Sequence, residues 1–136
     1  MIVTQSLDVP IYGRRFHVVI TGDFTKDYPE INKKFHQELT EEDNTLGMSQ
    51  RRGGHLLIII NVGKHRKIFK GIHIECSIAE TISHEAVHAC NQLFGNIGAD
   101  LDKNNDEPQA YLVGWFVNQI TRNYLKFKAQ EDGKKV

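Results

Sequence analysis

The residues best suited to chemistry lie in one short run, His84-Glu85-Ala86-Val87-His88. Histidines four residues apart lie one turn apart on the same face of an α-helix, so both imidazoles can bind one metal ion. In such sites the neighbouring glutamate takes a proton from the attacking water. Zinc accepts imidazole ligands and lowers the pKa of a bound water to about 7. The run therefore predicts a zinc centre with His84 and His88 as ligands and Glu85 as the general base.

The helix that carries this run is predicted over residues 77–94 and is closed by Gly95. At about 100° per residue, the two histidines lie nearly opposite the apolar stripe of this helix. That stripe comprises Ile78, Ile82, Ala86, Ala89 and Leu93. Two histidines packed in the core would lie inside the stripe. A solvated surface pair is the other alternative, and a metal-ligand pair is favoured over both.

A catalytic zinc site needs a third protein ligand and one open position. Glu107 is the leading candidate, near the start of a second long helix that is predicted from the cap Asp106 to about Lys128. Asp106 is the alternative ligand. A carboxylate at a helix N-terminus is also stabilised by the helix dipole, so the alternative role for Glu107 is that of a capping residue.

The helix face that carries Glu107 continues through Tyr111, Gly114 and Asn118. Tyr111 is a candidate catalytic residue that could donate to the oxyanion of a tetrahedral intermediate, although an aromatic packing role is equally compatible. Glycine inside a helix costs about 1 kcal/mol relative to alanine, so Gly114 suggests close approach of another element. The stripe of Leu112, Phe116, Ile120 and Phe127 is expected in the core.

The His84 to His88 run, its spacer and Glu107 together resemble the gluzincin branch of the zincin metallopeptidases. The segment ISHEAVHACNQLFGNIGADLDKNNDEPQAYLVGWF also resembles minimal zincin-like proteins encoded by phages and prophages. The resemblance covers about residues 55–120. It implies an active-site helix, a glutamate-bearing helix behind it and an antiparallel edge strand over the cleft, where an extended peptide could pair.

The sequence departs from the gluzincin pattern at two points. Gluzincins often carry an aspartate four residues after the ligand glutamate, and Tyr111 occupies that position here, so Asn118 or a backbone carbonyl would have to orient the ligand histidine. The large substrate-binding subdomain is also missing. The expected activity is thus cleavage of a peptide bond in a narrow range of substrates. The alternative is a catalytically silent zincin-like module that binds or regulates a protein partner.

The remaining segments predict an α+β fold, with a small mixed or antiparallel sheet packed on the active-site helix and the glutamate-bearing helix. His55 begins the strongest strand, HLLIIINV, whose unbroken apolar character suggests burial on both faces. The other predictions are strands over 2–7, 11–21 and 68–74, a helix over 27–39, a loop over 40–54 and a turn over 63–70.

A chain of 136 residues predicts one domain, 1–136, with a zincin-like architecture. Within it, residues 1–74 are expected to be mainly strands with one helix. Residues 75–128 form the two-helix metal-site unit, and residues 129–136 form a polar tail.

The amino-acid composition limits the classes of partner and the cellular location that are expected. Lys plus Arg and Asp plus Glu both total 17, so charge gives no argument for nucleic acid or a membrane surface. The Arg51-Arg52 pair is read as a solvated loop. No secretory signal is recognised, and Cys76 and Cys90 do not resemble a disulfide framework, so a cytoplasmic location is expected, in the host if the protein is phage-encoded. The expected partner is a peptide or protein substrate, and the oligomeric state is left open.

A run of acidic residues precedes the second helix. Asp100, Asp102, Asn104 and Asp106 alternate as in a calcium loop, but the glycine and the final glutamate of such loops are missing. The run is therefore interpreted as a polar connector.

Overall fold

The computed structural model describes residues 1–133 as a four-stranded mixed sheet with four α-helices, which confirms the α+β class. A short 3-10 helix, Glu41–Asp43, precedes the third strand. The elements in chain order are β1 (Ile2–Asp8), β2 (Arg15–Thr21), α1 (Phe24–Phe35), β3 (Gly47–Arg52), β4 (His55–Asn61), α2 (Val62–Ile68), α3 (Ile72–Ile97) and α4 (Glu107–Asp132).

The sheet has the strand order β1-β2-β4-β3. The β1–β2 and β3–β4 pairs are antiparallel, and β2 and β4 are parallel. Strand β4 is central and apolar, and its residues Leu56 to Asn61 are buried, as the sequence predicted. Strand β3 lies at an edge of the sheet.

Helices cover both faces of this sheet. Helices α3 and α4 pack on the face that carries Phe16, Val18 and Ile58. Helix α1 packs on the opposite face, against Val19 and Ile59. The two faces alternate along each strand because successive side chains point to opposite sides. The predicted apolar stripes of both long helices are confirmed, since every residue in them is buried.

The predicted loop over residues 40–54 is wrong, because it contains strand β3. Gly53 has a φ of 58° and, with Gly54, forms the two-residue turn that returns the chain into β4. Glycine pairs favour such hairpin turns because they adopt positive φ without steric cost. The strand is hard to recognise by composition since its residues are largely polar, as is common at a sheet edge.

The predicted turn over 63–70 and strand over 68–74 are also wrong. Residues in this region form α2 and the first turn of α3. The Asn61 side chain caps α2 by accepting a hydrogen bond from the Lys64 amide at 3.1 Å. Gly71, with a φ of 56°, then separates the two helices. These local caps outweigh the strand preference of the isoleucines.

Several predicted ends are displaced. Helix α1 spans Phe24–Phe35 rather than 27–39, because His36 adopts a left-handed conformation with a φ of 56°. Helix α3 begins at Ile72 rather than residue 77, and it ends at Ile97 with Gly98, rather than Gly95, in the C-cap position. Strand β2 begins at Arg15 rather than residue 11. Helix α4 extends to Asp132, so residues 129–132 of the predicted tail are helical, and residues 134–136 lie outside the described part of the chain.

Candidate metal centre

The two histidines of the run lie on the exposed side of α3, as predicted. Their Nε2 atoms are 3.1 Å apart, and the rings meet edge to face with centroids 4.7 Å apart. Zinc–nitrogen bonds of 2.0–2.1 Å in a tetrahedral arrangement separate two ligand atoms by about 3.3 Å. The spacing of the nitrogens therefore fits a shared metal ion.

The neighbouring carboxylate belongs to the same group of atoms. One ligand atom each from His84, Glu85 and His88 lies within 4.8 Å of the other two. Among residues 1–133, no other set of three histidine, cysteine, aspartate or glutamate side chains converges in this way. The acidic run over residues 100–106, interpreted from the sequence as a polar connector rather than a calcium loop, forms no such group, and Asp102 accepts a hydrogen bond from the Asn104 amide at 2.9 Å.

Glu85 differs from the histidines in its environment. Its side chain turns inward beneath β3 and is only 5% exposed. Burial raises the pKa of Glu85, while the charges of His84 and His88 and a hydrogen bond from Ser49 act in the opposite direction. A carboxylate with a raised pKa is a better proton acceptor at neutral pH than an exposed one.

Strand β3 approaches this carboxylate closely. A Cβ atom on Gly47 would lie 2.4 Å from Thr81 Cγ2 and 3.3 Å from Glu85 Oε2. Only glycine allows this approach without displacing a side chain. Ser49 lies two residues further along β3, and its hydrogen bond to the Glu85 carboxylate acts to lower the pKa of that group. Ser49 Oγ also accepts a hydrogen bond from Gln92 Nε2 at 3.3 Å. Strand β3 therefore packs directly against the Glu85 side chain.

Gly47, Ser49 and Gln92 were not predicted as site residues. Gly47 and Ser49 lie in the segment that was predicted as a loop, and Gln92 lies one helical turn beyond His88. The Gly53-Gly54 pair was the available signal for the hairpin. Gln92 Oε1 is buried and has no hydrogen-bond partner among the described residues.

Glu107 does not join the group around the histidines. It is the first residue of α4, it is exposed, and it lines an open surface depression with Tyr111 and Asn118. Helix α4 buries the side that carries Leu112 and Phe116, so this depression lies on its outer side. Asp106 occupies the cap position, but its side chain makes no capping hydrogen bond.

Tyr111 and Gly114 share that outer position. Tyr111 is 78% exposed. No described atom lies within 4 Å of a Cβ placed on Gly114, so the predicted close approach of another element at this glycine is wrong. Neither Tyr111 nor Glu107 is brought to the histidine pair in this conformation.

Two further findings bear on the class of protein. None of the helices described over residues 1–133 combines the length and apolar character needed to cross a membrane. Cys76 and Cys90 are both free.

Comparison of the chain with protein families, with curated proteins and with solved structures gives no match in any of the three.

Proposed function

We propose that this protein is a zinc-dependent hydrolase that cleaves a peptide bond. One observation carries the proposal: two Nε2 atoms 3.1 Å apart lie beside a buried carboxylate on the same helix. The three residue types match the chemical requirements of metal-assisted hydrolysis, and their spacing fits one metal ion.

His84 and His88 would hold the zinc through Nε2. Bound zinc supplies Lewis acidity, which polarises a carbonyl and makes water more acidic. Glu107 remains the predicted third ligand. Because it lies outside the converging group, this role requires the first turn of α4 to move, together with the polar connector over residues 99–106.

Glu85 would act as the general base and later protonate the leaving amine. Its raised pKa and its inward position support this role. A hydrogen bond from the Ser49 hydroxyl to the carboxylate partly offsets this rise in pKa. Tyr111, as an oxyanion donor, stays a prediction from the sequence.

The edge strand supports a peptide as the substrate. Among the described strands, β3 is paired only on its β4 side. An extended peptide can add to such an edge through main-chain hydrogen bonds. A peptide bound there would lie along the strand that contacts Glu85.

The test compares the wild type with Glu85→Gln, both loaded with zinc, on a broad peptide library. We expect the variant to retain its zinc and to lose about 100-fold or more in turnover, as is typical when a general base is removed. Glu30→Gln is the matched control because Glu30 is exposed on α1, on the other face of the sheet. Full activity in Glu85→Gln would contradict the assigned base.

A binding module is the second candidate function. The observation that favours it is that both histidines are exposed and that, apart from Glu85 of the same run, no ligand side chain of the described residues converges with them. Zinc bound at one per chain, with no cleavage of any library peptide by the wild type, would support the binding module over the hydrolase.

A further inference from the structure

A second candidate site lies on the face of the sheet away from the histidine pair. Helix α1 covers Val19 and Ile59 on this face. It leaves part of the sheet uncovered near His17 and His55, toward the first residues of β2 and β4. The uncovered part forms a cavity of about 250 Å³ beneath the C-terminal end of α1. We refer to it as the basic pocket, and its principal lining residues are His17, Lys34, Phe35, Gln50, Arg52 and His55.

The basic pocket holds two fixed positive charges. Lys34 Nζ donates a hydrogen bond to Thr4 Oγ1 at 2.7 Å, and Arg52 donates one to the His36 carbonyl at 2.6 Å. Both cations are thus held in place by neutral acceptors. Among the described residues no carboxylate lines the pocket, so the protein supplies no counter-charge there.

Two imidazoles extend the polar floor. His17 Nδ1 lies 2.7 Å from Ser6 Oγ, and His17 Nε2 lies 2.9 Å from His55 Nδ1. Burial, followed by the charges of His55 and Arg15, lowers the pKa of His17. Neighbouring charges that oppose protonation are consistent with a positive potential around this residue.

The walls of the basic pocket limit the size and shape of a ligand. The Phe35 ring lies tilted against the His17 ring with centroids 5.2 Å apart, and Leu57 lies on the apolar side of the cavity. The amides of Gln37 and Gln50 offer further donors. A cavity of about 250 Å³ is smaller than most drug-binding pockets, so it suits a small ligand.

We propose that the basic pocket binds a phosphate group, either as free phosphate or as the monoester of a small molecule with an apolar ring. Lysine, arginine, imidazole and amide donors around one cavity match the charge and the several acceptor oxygens of a phosphate. This site is independent of the proposed zinc centre. Arg51 and Arg52, interpreted from the sequence as a solvated loop, lie in β3, and of the two only Arg52 lines the pocket.

The experiment is a nuclear magnetic resonance titration of the full chain at constant ionic strength, following backbone amide and imidazole signals. The probes are inorganic phosphate, phenyl phosphate and benzoate. We expect saturable shifts at Gln50, His17 and His55 with both phosphates and weaker binding of benzoate, which carries one charge. Tighter binding of phenyl phosphate than of inorganic phosphate would identify the monoester, and equal binding would identify free phosphate.

Variants then locate the binding. Arg52→Gln and Lys34→Gln should each weaken phosphate binding about tenfold or more, the size expected for a lost charged hydrogen bond. Arg51→Gln and Lys33→Gln are the matched controls, since each neighbours a lining residue but does not line the pocket. Lys34 is exposed, so its variant should fold even if Arg52→Gln does not. Equal weakening by a control and its partner, or no saturable shift with either phosphate, would overturn the proposal.

Discussion

At the scale of residues, the histidine pair was predictable because its geometry is local. A separation of four residues brings two imidazoles together on any regular helix, and the stripe of buried residues showed which side faces solvent. The structure agrees, with Nε2 atoms 3.1 Å apart. The environment of Glu85 was not predictable from the sequence. Its burial depends on Gly47 and Ser49 of β3, a strand that joins the sheet by pairing with β4.

The position of Glu107, the predicted third ligand, was also not predictable, because it depends on packing between separate elements. Glu107 lies beyond the end of α3 and the connector, as the first residue of α4, so its direction depends on how α4 is rotated against the sheet. The core stripe of α4 sets that rotation and turns Glu107 outward.

The predicted role of Glu107 can be tested by zinc affinity. If the first turn of α4 moves to complete the site, Glu107→Gln should weaken zinc binding about tenfold or more, a loss typical of disrupted metal sites. Asp106→Asn is the matched comparison, because it is the alternative ligand one residue earlier. Competition with a chelator of known affinity gives both values. Wild-type affinity in both variants would remove Glu107 and Asp106 as ligands.

At the scale of elements, the apolar and periodic segments were predicted, while the polar edge strand β3 and the short helix α2 were not. Strand β4 is marked by a continuous apolar run, and the core stripes of α3 and α4 by their helical period. Strand β3 carries no such pattern, because it lies at an edge and exposes much of its surface. Helix α2 has only seven residues and depends on the Asn61 cap.

The junctions after β2 and β4 allow a direct test of element packing. A Cβ atom on Gly63 would lie 2.2 Å from the Gly22 carbonyl oxygen, which belongs to the backbone and cannot easily move. We expect Gly63→Ala to lower the free energy of unfolding by about 1–3 kcal/mol, the usual cost of overpacking. Denaturant unfolding of the variant and the wild type measures this difference.

The control for that experiment is Gly95→Ala. Gly95 lies inside α3, and no described atom is within 4 Å of a Cβ at this position. Alanine is favoured over glycine in helices by about 1 kcal/mol, so this variant should be as stable as the wild type or more stable. If Gly63→Ala unfolds at the same denaturant concentration as the wild type, the close packing of the two junctions is incorrect.

At the scale of the whole molecule, the sequence predicted the α+β class but not the sheet order. The parallel β2–β4 pair joins residues separated by α1 and β3, and such long-range pairing has no local signal. His65 is another example of long-range assembly. It is fully buried, and its ring bonds Ser77 Oγ at 2.8 Å and the Leu46 carbonyl at 3.2 Å, which links α2, α3 and the segment before β3.

His65 makes the stability of the molecule depend on pH. Burial lowers its pKa, opposed in part by the bond to the Leu46 carbonyl. The unfolded state therefore binds a proton at higher pH than the folded state does. The free energy of unfolding should be highest above pH 6.5, which is about the pKa of histidine in the unfolded state, and it should fall as the pH decreases below that value. Urea unfolding between pH 8 and pH 5 measures this trend.

His17 contributes in the same direction, because its pKa is also lowered. The informative comparison is thus the slope of stability against pH in the wild type and in His65→Gln, which has no imidazole to protonate. We expect a shallower slope in the variant. An identical slope in both proteins would mean that His65 is not the source of the pH dependence.

The central claim is that His84 and His88 hold a metal ion, and elemental analysis of zinc per chain tests it most directly. The proteins are the wild type, His84→Ala and His73→Ala, the last as a control because His73 is exposed on the same helix outside the group. We predict about one zinc per chain in the wild type and in His73→Ala, and its loss in His84→Ala. Absence of zinc from the wild type after reconstitution, or retention in His84→Ala, would contradict the account.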